Sequence, residues 1–191
     1  MSFGPGHSYF ILFRNPVTQA KVTAQNFPVM KPVIELTGAW KVQFDPRWGG
    51  PENVTFDSLA DWSQRPEDGV KFYSGTAVYR KTFELPSPGL LPDQKYFLSL
   101  GDVKNLARIK LNGRDLGLVW CMPWRVATGG ALKAASNQLE IEVANLWPNR
   151  LIGDLSLPVE KRISWTTRNP YKKDSPLLPS GLLGPVSILA Q

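Results

Sequence analysis

The strongest constraint on the fold is an alternating segment that runs straight into a hairpin signal. Residues 107–111 read ARIKL, and Asn112-Gly113 follows at once. Alternation of apolar and charged residues is the period of a strand with one buried face, and Asn-Gly is the strongest short hairpin signal. Residues 139–143 (LEIEV) repeat the alternation with acids on the exposed face. Residues 98–150 are therefore predicted to be the strand-rich centre of the fold.

The rest of the chain supplies further short strands separated by turns. Strand-like patterns occupy residues 8–13, 34–36, 40–44, 54–56, 76–85, 95–100 and 184–189, and the 17 prolines and 16 glycines suit short elements. One helical turn is expected at residues 58–62, capped by Asp57 or Ser58. Residues 151–183 show little periodicity and are predicted to be a long loop. These features predict an all-β fold, a β-sandwich with the long connections of a jelly roll.

Two prolines, Pro28 and Pro32, mark a candidate domain boundary, because each disfavours helix in the residue before it. We expect residues 1–32 to be an N-terminal arm or the end of a preceding domain, and residues 33–191 to form the sandwich. Residues 20–23 are a candidate hairpin partner for residues 8–13. The alternative is that residues 8–13 (SYFILF) form the first strand of the sandwich itself.

Charge and reactive side chains exclude several classes of protein. The net charge is +6, but the basic residues are scattered and no basic run of five occurs, so nucleic acid is not an expected partner. A single cysteine, Cys121, rules out an internal disulfide, and a single histidine, His7, argues against a Ser-His-Asp relay. The N-terminus has the pattern of neither a signal peptide nor a membrane span, so no membrane contact is expected.

An aromatic corner is the first candidate site. Trp120, Trp124 and Arg125 fall within six residues, and indole faces stack on sugar rings while the guanidinium offers donors to hydroxyls. A carbohydrate site is one interpretation. The other, which the residues favour, is that the tryptophans fill the end of the sandwich or contact another domain. Cys121 between them is expected to be a small buried hydrophobe.

The second candidate site is a polar segment after the 139–143 strand, comprising Asn145, Trp147, Asn149, Arg150 and Asp154. An Arg150–Asp154 ion pair that fixes the loop, with asparagines capping turns, is the favoured interpretation. Contact with a ligand or a partner is the alternative. We expect this segment and the aromatic corner to lie at one end of the sandwich.

No set of residues indicates catalysis. A glycosidase needs two carboxyl groups facing each other across a cleft. The 16 acids fall mostly in turns or on outward strand faces, as Glu140 and Glu142 do. Asp45, Asp102 and Asp154 are loop acids without an evident second carboxyl group with which to form a catalytic pair. The chain also lacks a phosphate loop and the spacing of a zinc site.

Several stretches resemble known sugar-enzyme domains. Residues 74–83 (SGTAVYRKTF), 107–117 (ARIKLNGRDLG) and 137–145 (NQLEIEVAN) are similar to the sugar-binding β-sandwich of family 2 glycoside hydrolases, a galactose-binding-like jelly roll. A narrower resemblance covers about residues 34–189. LTGAWKVQFDPRWGGP, LNGRDLGLVWCMPWRV, ANLWPNRLIGD and PLLPSGLLGPVSIL resemble the C-terminal part of the bacterial α-L-rhamnosidase family, glycoside hydrolase family 106.

This resemblance implies a non-catalytic accessory module. In that family catalysis belongs to an N-terminal barrel domain, so no catalytic residue transfers to this chain. The implied partners are the catalytic domain of a parent glycoside hydrolase, periplasmic or secreted, and rhamnose-containing plant glycans. The alternative is a stand-alone carbohydrate-binding module. No cofactor is implied, although the fold often carries calcium, for which the chain shows no dense acidic loop.

Overall fold

The computed structural model describes residues 8–14 and 29–191. Within these residues the strands are β1 (Lys31–Glu35), β2 (Trp40–Gln43), β3 (Val54–Phe56), β4 (Thr76–Phe83), β5 (Tyr96–Ser99), β6 (Asp102–Lys104), β7 (Leu106–Leu111), β8 (Arg114–Val119), β9 (Arg125–Ala127), β10 (Asn137–Ala144), β11 (Gly181–Gly184) and β12 (Ser187–Ala190). The helices are α1 (Asp68–Lys71) and α2 (Pro148–Asp154), with 3₁₀ turns at Pro46–Trp48, Trp62–Gln64 and Val159–Lys161.

Two antiparallel sheets face each other. One has six strands in the order β3-β2-β4-β10-β7-β8, and the other has four in the order β1-β12-β5-β9. A small third sheet pairs β11 with β6. The predicted all-β sandwich is therefore confirmed.

The core lies between the sheets and follows the predicted alternation. Leu139, Ile141 and Val143 of β10 are buried, and so are Leu98 and Leu100 around the end of β5. Each of these side chains points inward because successive residues of a strand face opposite sides. The inward faces of the two sheets thus supply one continuous apolar core.

Aromatic residues fill the part of the core under β2 and β4. The rings of Phe44 and Tyr73 meet edge to face with centroids 4.8 Å apart. Nε1 of Trp62 donates to the hydroxyl of Tyr79 at 2.6 Å, deep in the interior. Burial raises the pKa of Tyr79 far above its ordinary value.

The Asn-Gly hairpin between β7 and β8 is present as predicted. Asn112 has a φ of 54° and Gly113 a φ of 81°, so both occupy the left-handed region that such a tight turn requires. Asn112 also anchors the turn: its Oδ1 accepts from the backbone N–H of Gln138 at 2.8 Å, and its Nδ2 donates to the carbonyl of Ala131 at 2.7 Å.

Other local predictions were wrong. Residues 58–62 form no helical turn; a 3₁₀ turn begins instead at Trp62, because Asp61 caps it by accepting from the N–H of Ser63 at 2.9 Å. The segment after β10, which was expected to be a polar loop, contains helix α2. The long loop that follows ends in strand β11, which pairs antiparallel with β6.

The N-terminal region was only partly interpretable from sequence. Residues 8–14 form no strand, contrary to prediction, and the large apolar side chains among them are exposed. The candidate hairpin partner at residues 20–23 lies outside the described residues. β1 enters the four-stranded sheet at Lys31, next to the boundary predicted near Pro32, and that domain division stays a prediction. Among the described residues, no helix is long and apolar enough to cross a membrane.

Candidate functional site

The two predicted site segments leave the six-stranded sheet at the same end. Ala107 of β7 lies opposite Val143 of β10 on one side and opposite Val119 of β8 on the other. The last residues of β10 and β8 therefore form one row, from which residues 145–154 and 120–125 emerge. This arrangement agrees with the prediction that both lie at one end of the sandwich.

A buried amide network fixes the chain after β10. Asn145 donates through Nδ2 to the carbonyl of Tyr73 at 2.8 Å and to Oγ of Ser180 at 3.2 Å. Asn149, on α2, donates to the carbonyl of Leu178 at 2.8 Å and accepts from its N–H at 2.8 Å. Asn145 therefore ties the end of β10, and Asn149 ties α2, to the segment before β11. The role is structural, as favoured from sequence, but it is a long-range tie and not the predicted capping of turns.

Arg150 and Asp154 form the predicted ion pair, and it is buried. Nε of Arg150 lies 3.0 Å from Oδ1 of Asp154, with side chains 6% and 4% exposed. Neither atom has a partner with good hydrogen-bond geometry, so charge rather than alignment holds this contact. The other oxygen, Oδ2, accepts from the N–H groups of Ile163 and Ser164 at 3.1 and 2.7 Å and from the Ser164 hydroxyl at 2.6 Å.

These bonds fix the backbone just before Trp165, a residue that is 85% exposed. It lines a cleft of about 450 Å³ together with Trp48 and Trp147. The Trp48 and Trp147 rings meet edge to face, with centroids 5.4 Å apart and planes at 81°. The remaining lining residues are Leu151, Ile163, Ser164 and Thr166. We call this the tryptophan cleft.

Trp48 reaches the cleft from a well-ordered turn after β2. Asp45 caps the turn by accepting from the N–H of Arg47 at 2.9 Å, and its carboxylate also takes a 2.6 Å contact from the Arg47 guanidinium. These hydrogen bonds hold the pKa of Asp45 below its ordinary value. Asp45 therefore has a partner that the sequence did not indicate. Gly49 ends the turn with a φ of 75°, in the left-handed region.

The aromatic corner lies apart from this cleft. Trp120 is 69% exposed, whereas Trp124 packs partly against the core and its carbonyl accepts from the N–H of Leu100 at 2.7 Å. Cys121 is exposed, so the expectation of a buried thiol was wrong. The corner lies outside the sandwich because it connects edge strand β8 of one sheet to edge strand β9 of the other. Arg125 begins β9 and reaches Sδ of Met30 at 3.3 Å.

Sequence reasoning missed two of the three cleft tryptophans, Trp48 and Trp165. Both lie between the segments that show strand periodicity. Trp147 was the only cleft aromatic among the predicted site residues. The available signal was compositional: seven tryptophans are many for 191 residues, and those outside strand patterns are candidates for exposed surfaces.

The outward acids of β10 are paired with bases on neighbouring strands. Nζ of Lys110 lies 3.3 Å from Glu140 and 3.0 Å from Glu142, and Arg80 contacts Glu140 at 2.8 Å. Desolvation, the largest single effect, raises the pKa of Glu140. The hydrogen bonds from Lys110 and Arg80 together outweigh it and leave that pKa below its ordinary value. In the described part of the chain, no three acidic, histidine or cysteine side chains are grouped so as to hold a metal ion.

Comparison with known proteins connects the chain to parts of larger enzymes. The structure of a rhamnosidase from Novosphingobium sp. PP1Y matches 94% of this chain at 36% identity, with a TM-score of 0.85. A putative β-glucuronidase from Formosa agariphila is 38% identical over an alignment that covers 88% of this chain. A β-glucuronidase from an uncultured Clostridium sp. matches 64% of the chain at 22% identity and a TM-score of 0.51, which shows a similar fold alone.

The chain spans only a small part of these proteins, 17% of the rhamnosidase and 16% of the putative β-glucuronidase. No family model matches it. The chain is therefore similar, over most of its length, to a segment that makes up about a sixth of proteins described as glycoside hydrolases.

Proposed function

We propose that the chain is a non-catalytic accessory β-sandwich module of an α-L-rhamnosidase-like glycoside hydrolase, of the galactose-binding-like type found in glycoside hydrolase family 106. The observation that carries this proposal is the match to the Novosphingobium rhamnosidase, at 36% identity over 94% of the chain but only 17% of that enzyme. Such a match is what an accessory domain of a larger enzyme produces. The proposal assigns no cofactor to the module.

The ionisation of the outward acids supports a non-catalytic role. A glycosidase of the usual kind requires a protonated carboxyl group, with a raised pKa, facing a second carboxylate across a cleft. Glu140 has the opposite property, because Lys110 and Arg80 stabilise its charged form. Asp154, the other acid singled out in the candidate segments, is occupied by Arg150, Ile163 and Ser164.

Exposed apolar residues support packing against a catalytic domain of the parent enzyme. Phe10 and Phe13 are 93% and 94% exposed, and Ile11 and Leu12 between them are also exposed. A run of exposed large apolar side chains marks an interaction surface in a soluble protein. The aromatic corner and the tryptophan cleft offer further contacts, to the same domain or to rhamnose-containing plant glycans.

The alternative is a stand-alone carbohydrate-binding module. The observation that favours it is the exposure of several indoles, at Trp120, Trp147 and Trp165. A module of this kind binds polysaccharide without any partner domain. The supporting role predicts instead that the chain associates with the remainder of a rhamnosidase.

Catalysis is tested by incubating the isolated chain with 4-nitrophenyl α-L-rhamnopyranoside. We expect no release of nitrophenol above the uncatalysed rate. Turnover that Glu140→Gln abolishes would overturn the non-catalytic assignment.

Association is tested by co-expressing the chain with a Novosphingobium rhamnosidase from which the matching segment has been deleted. The chain is expected to co-purify with the truncated enzyme and to restore part of its activity. The double variant Phe10→Ser, Phe13→Ser should weaken co-purification. Val159→Ser is the matched control, because Val159 is also apolar and 74% exposed but lies in a different surface segment. Failure of the unmodified chain to associate would favour the stand-alone module.

A further inference from the structure

The tryptophan cleft combines exposure with rigidity. Trp48, Trp147 and Trp165 are 37%, 46% and 85% exposed. Indoles are large apolar groups, and exposing three of them side by side forfeits the free energy that burial would give. Local structure nevertheless fixes all three segments in place. Such a surface is stabilised when something covers it.

Each of the three tryptophans lies in or beside a different local structure. Trp48 lies in the 3₁₀ turn capped by Asp45, and Trp147 directly precedes Pro148, the first residue of α2. Trp165 follows Ser164, whose backbone and hydroxyl both bond to the buried carboxylate of Asp154. Because these three backbone segments are held before any ligand arrives, binding would not have to order them.

The segments that carry Trp48 and Trp165 lie close to each other in the structure. The backbone at Gly49 approaches so closely that a Cβ added there would lie 2.5 Å from Cδ1 of Ile163 and 3.5 Å from Nη1 of Arg150. The buried ion pair thus lies close to the segments that carry Trp48 and Trp165, and neither Arg150 nor Asp154 lines the cleft.

The chemistry of the lining specifies the class of ligand. Its seven residues are three tryptophans, a leucine, an isoleucine, a serine and a threonine, and none is charged. The C–H faces of a pyranose ring are apolar and slightly positive, and so they complement the negative face of an indole. The oxygens of Ser164 and Thr166 already act as donors, to Asp154 and to the carbonyl of Arg168, and keep acceptor capacity for ligand hydroxyls.

We propose that the tryptophan cleft is a binding site for a neutral pyranose ring, which stacks on Trp165 and contacts the corner formed by Trp48 and Trp147. The volume of about 450 Å³ is in the range of small-ligand pockets. An anionic sugar is disfavoured, since the lining has no cation to compensate for its desolvation. This site goes beyond the supporting role proposed above, because a module can brace a catalytic domain without binding sugar.

The test is a titration of the isolated chain with three probes, followed by tryptophan fluorescence and by calorimetry. The probes are methyl α-L-rhamnopyranoside, methyl β-D-glucopyranoside and methyl β-D-glucuronide. We expect saturable binding of at least one neutral glycoside and weaker or no binding of the uronide. Silence with both neutral glycosides would overturn the proposal and would favour a neighbouring domain as the cover of the cleft. Tightest binding of the uronide would overturn the assignment of a neutral ligand.

Two variants locate the binding. Trp165→Ala removes the most exposed wall and should weaken binding by about tenfold or more, as loss of a stacking platform does. Val159→Ala is the control, because Val159 is apolar and 74% exposed but does not line the cleft. Circular dichroism verifies that both variants fold. Equal loss of binding in the two variants would place the ligand elsewhere and refute the assignment. The association test of the supporting role does not depend on either result.

Discussion

Nε of Arg150 lies 3.0 Å from Oδ1 of Asp154, one helical turn along α2, and both side chains are almost fully buried. The other oxygen of the same carboxylate holds the backbone of Ser164. A single carboxylate thus joins α2 to the loop that carries Trp165. The pair connects the stability of the module to the shape of its tryptophan cleft.

Loss of the Arg150–Asp154 ion pair should destabilise the fold. Asp154→Asn keeps most of the side-chain volume but leaves the Arg150 guanidinium buried without its counterion. We expect the free energy of unfolding to fall by about 3–5 kcal/mol, the usual cost of an uncompensated buried charge. Urea denaturation measures the change.

The control for Asp154→Asn is Asp102→Asn. Asp102 pairs with Lys104 at 2.9 Å on the surface, where the two side chains are 46% and 32% exposed. Loss of such an exposed pair should cost less than about 1 kcal/mol. Similar losses in the two variants would mean that the Arg150–Asp154 contact contributes no more than a surface pair.

The buried hydroxyl of Tyr79 should also contribute strongly to the free energy of unfolding. It accepts from Nε1 of Trp62 at 2.6 Å and from the N–H of Leu182 at 3.3 Å. Tyr79→Phe leaves both donors without this acceptor, and we expect a loss of about 2–4 kcal/mol because each unsatisfied buried donor costs about 1–3 kcal/mol. Thermal and urea unfolding measure it. Tyr171→Phe, in the long loop, should change stability by less than about 0.5 kcal/mol, and equal effects would contradict the prediction.

Glu140 should contribute a pH-dependent part of the stability. Its pKa is lowered in the folded protein, so the charged form stabilises the fold above the unfolded-state value of about 4.5, and the contribution disappears as pH falls through the folded-state pKa. Glu140→Gln should therefore lose on the order of 0.5–1 kcal/mol at pH 7, and this difference should shrink as the pH falls below about 4.5. Urea titrations across this range test it. A difference that stays constant with pH, or that also appears in Glu160→Gln at an exposed position, would refute it.

Strand periodicity predicted the framework well because it reports a physical constraint that acts along the chain. β7 and β10 alternate, Asn112-Gly113 turns the hairpin, and all three features appear where expected. Helix α2 was missed because its seven residues are too few for the 3.6-residue period to stand out, and Pro148 and Gly153 read as loop residues. Pro148 at the first helical position is in fact a favoured start.

The candidate site was predictable only in part. The Arg150–Asp154 pair was predicted from opposite charges close together in a loop. The segment is instead helix α2, in which a spacing of four places the two side chains on one face. The tryptophan cleft does not follow from any local pattern, because Trp48, Trp147 and Trp165 come from three separate segments. The exposure of Cys121 was equally invisible, since it depends on where the connection between the sheets leaves the core.

Two glycines with the same backbone requirement should respond very differently to alanine. Gly113 has a φ of 81° and a Cβ there would meet nothing within 4 Å. Gly101 has a φ of 68°, and a Cβ there would overlap the backbone of Gly184 and Pro185. Gly113→Ala should cost about 1–2 kcal/mol, the left-handed strain alone. Gly101→Ala would also displace the backbone bridge between Gly101 and Gly184, the last residue of β11. It should therefore cost more than about 4 kcal/mol. Urea unfolding of the two variants under one set of conditions compares them, and a loss at Gly101 no greater than that at Gly113 would show that the approach to Gly184 relaxes freely.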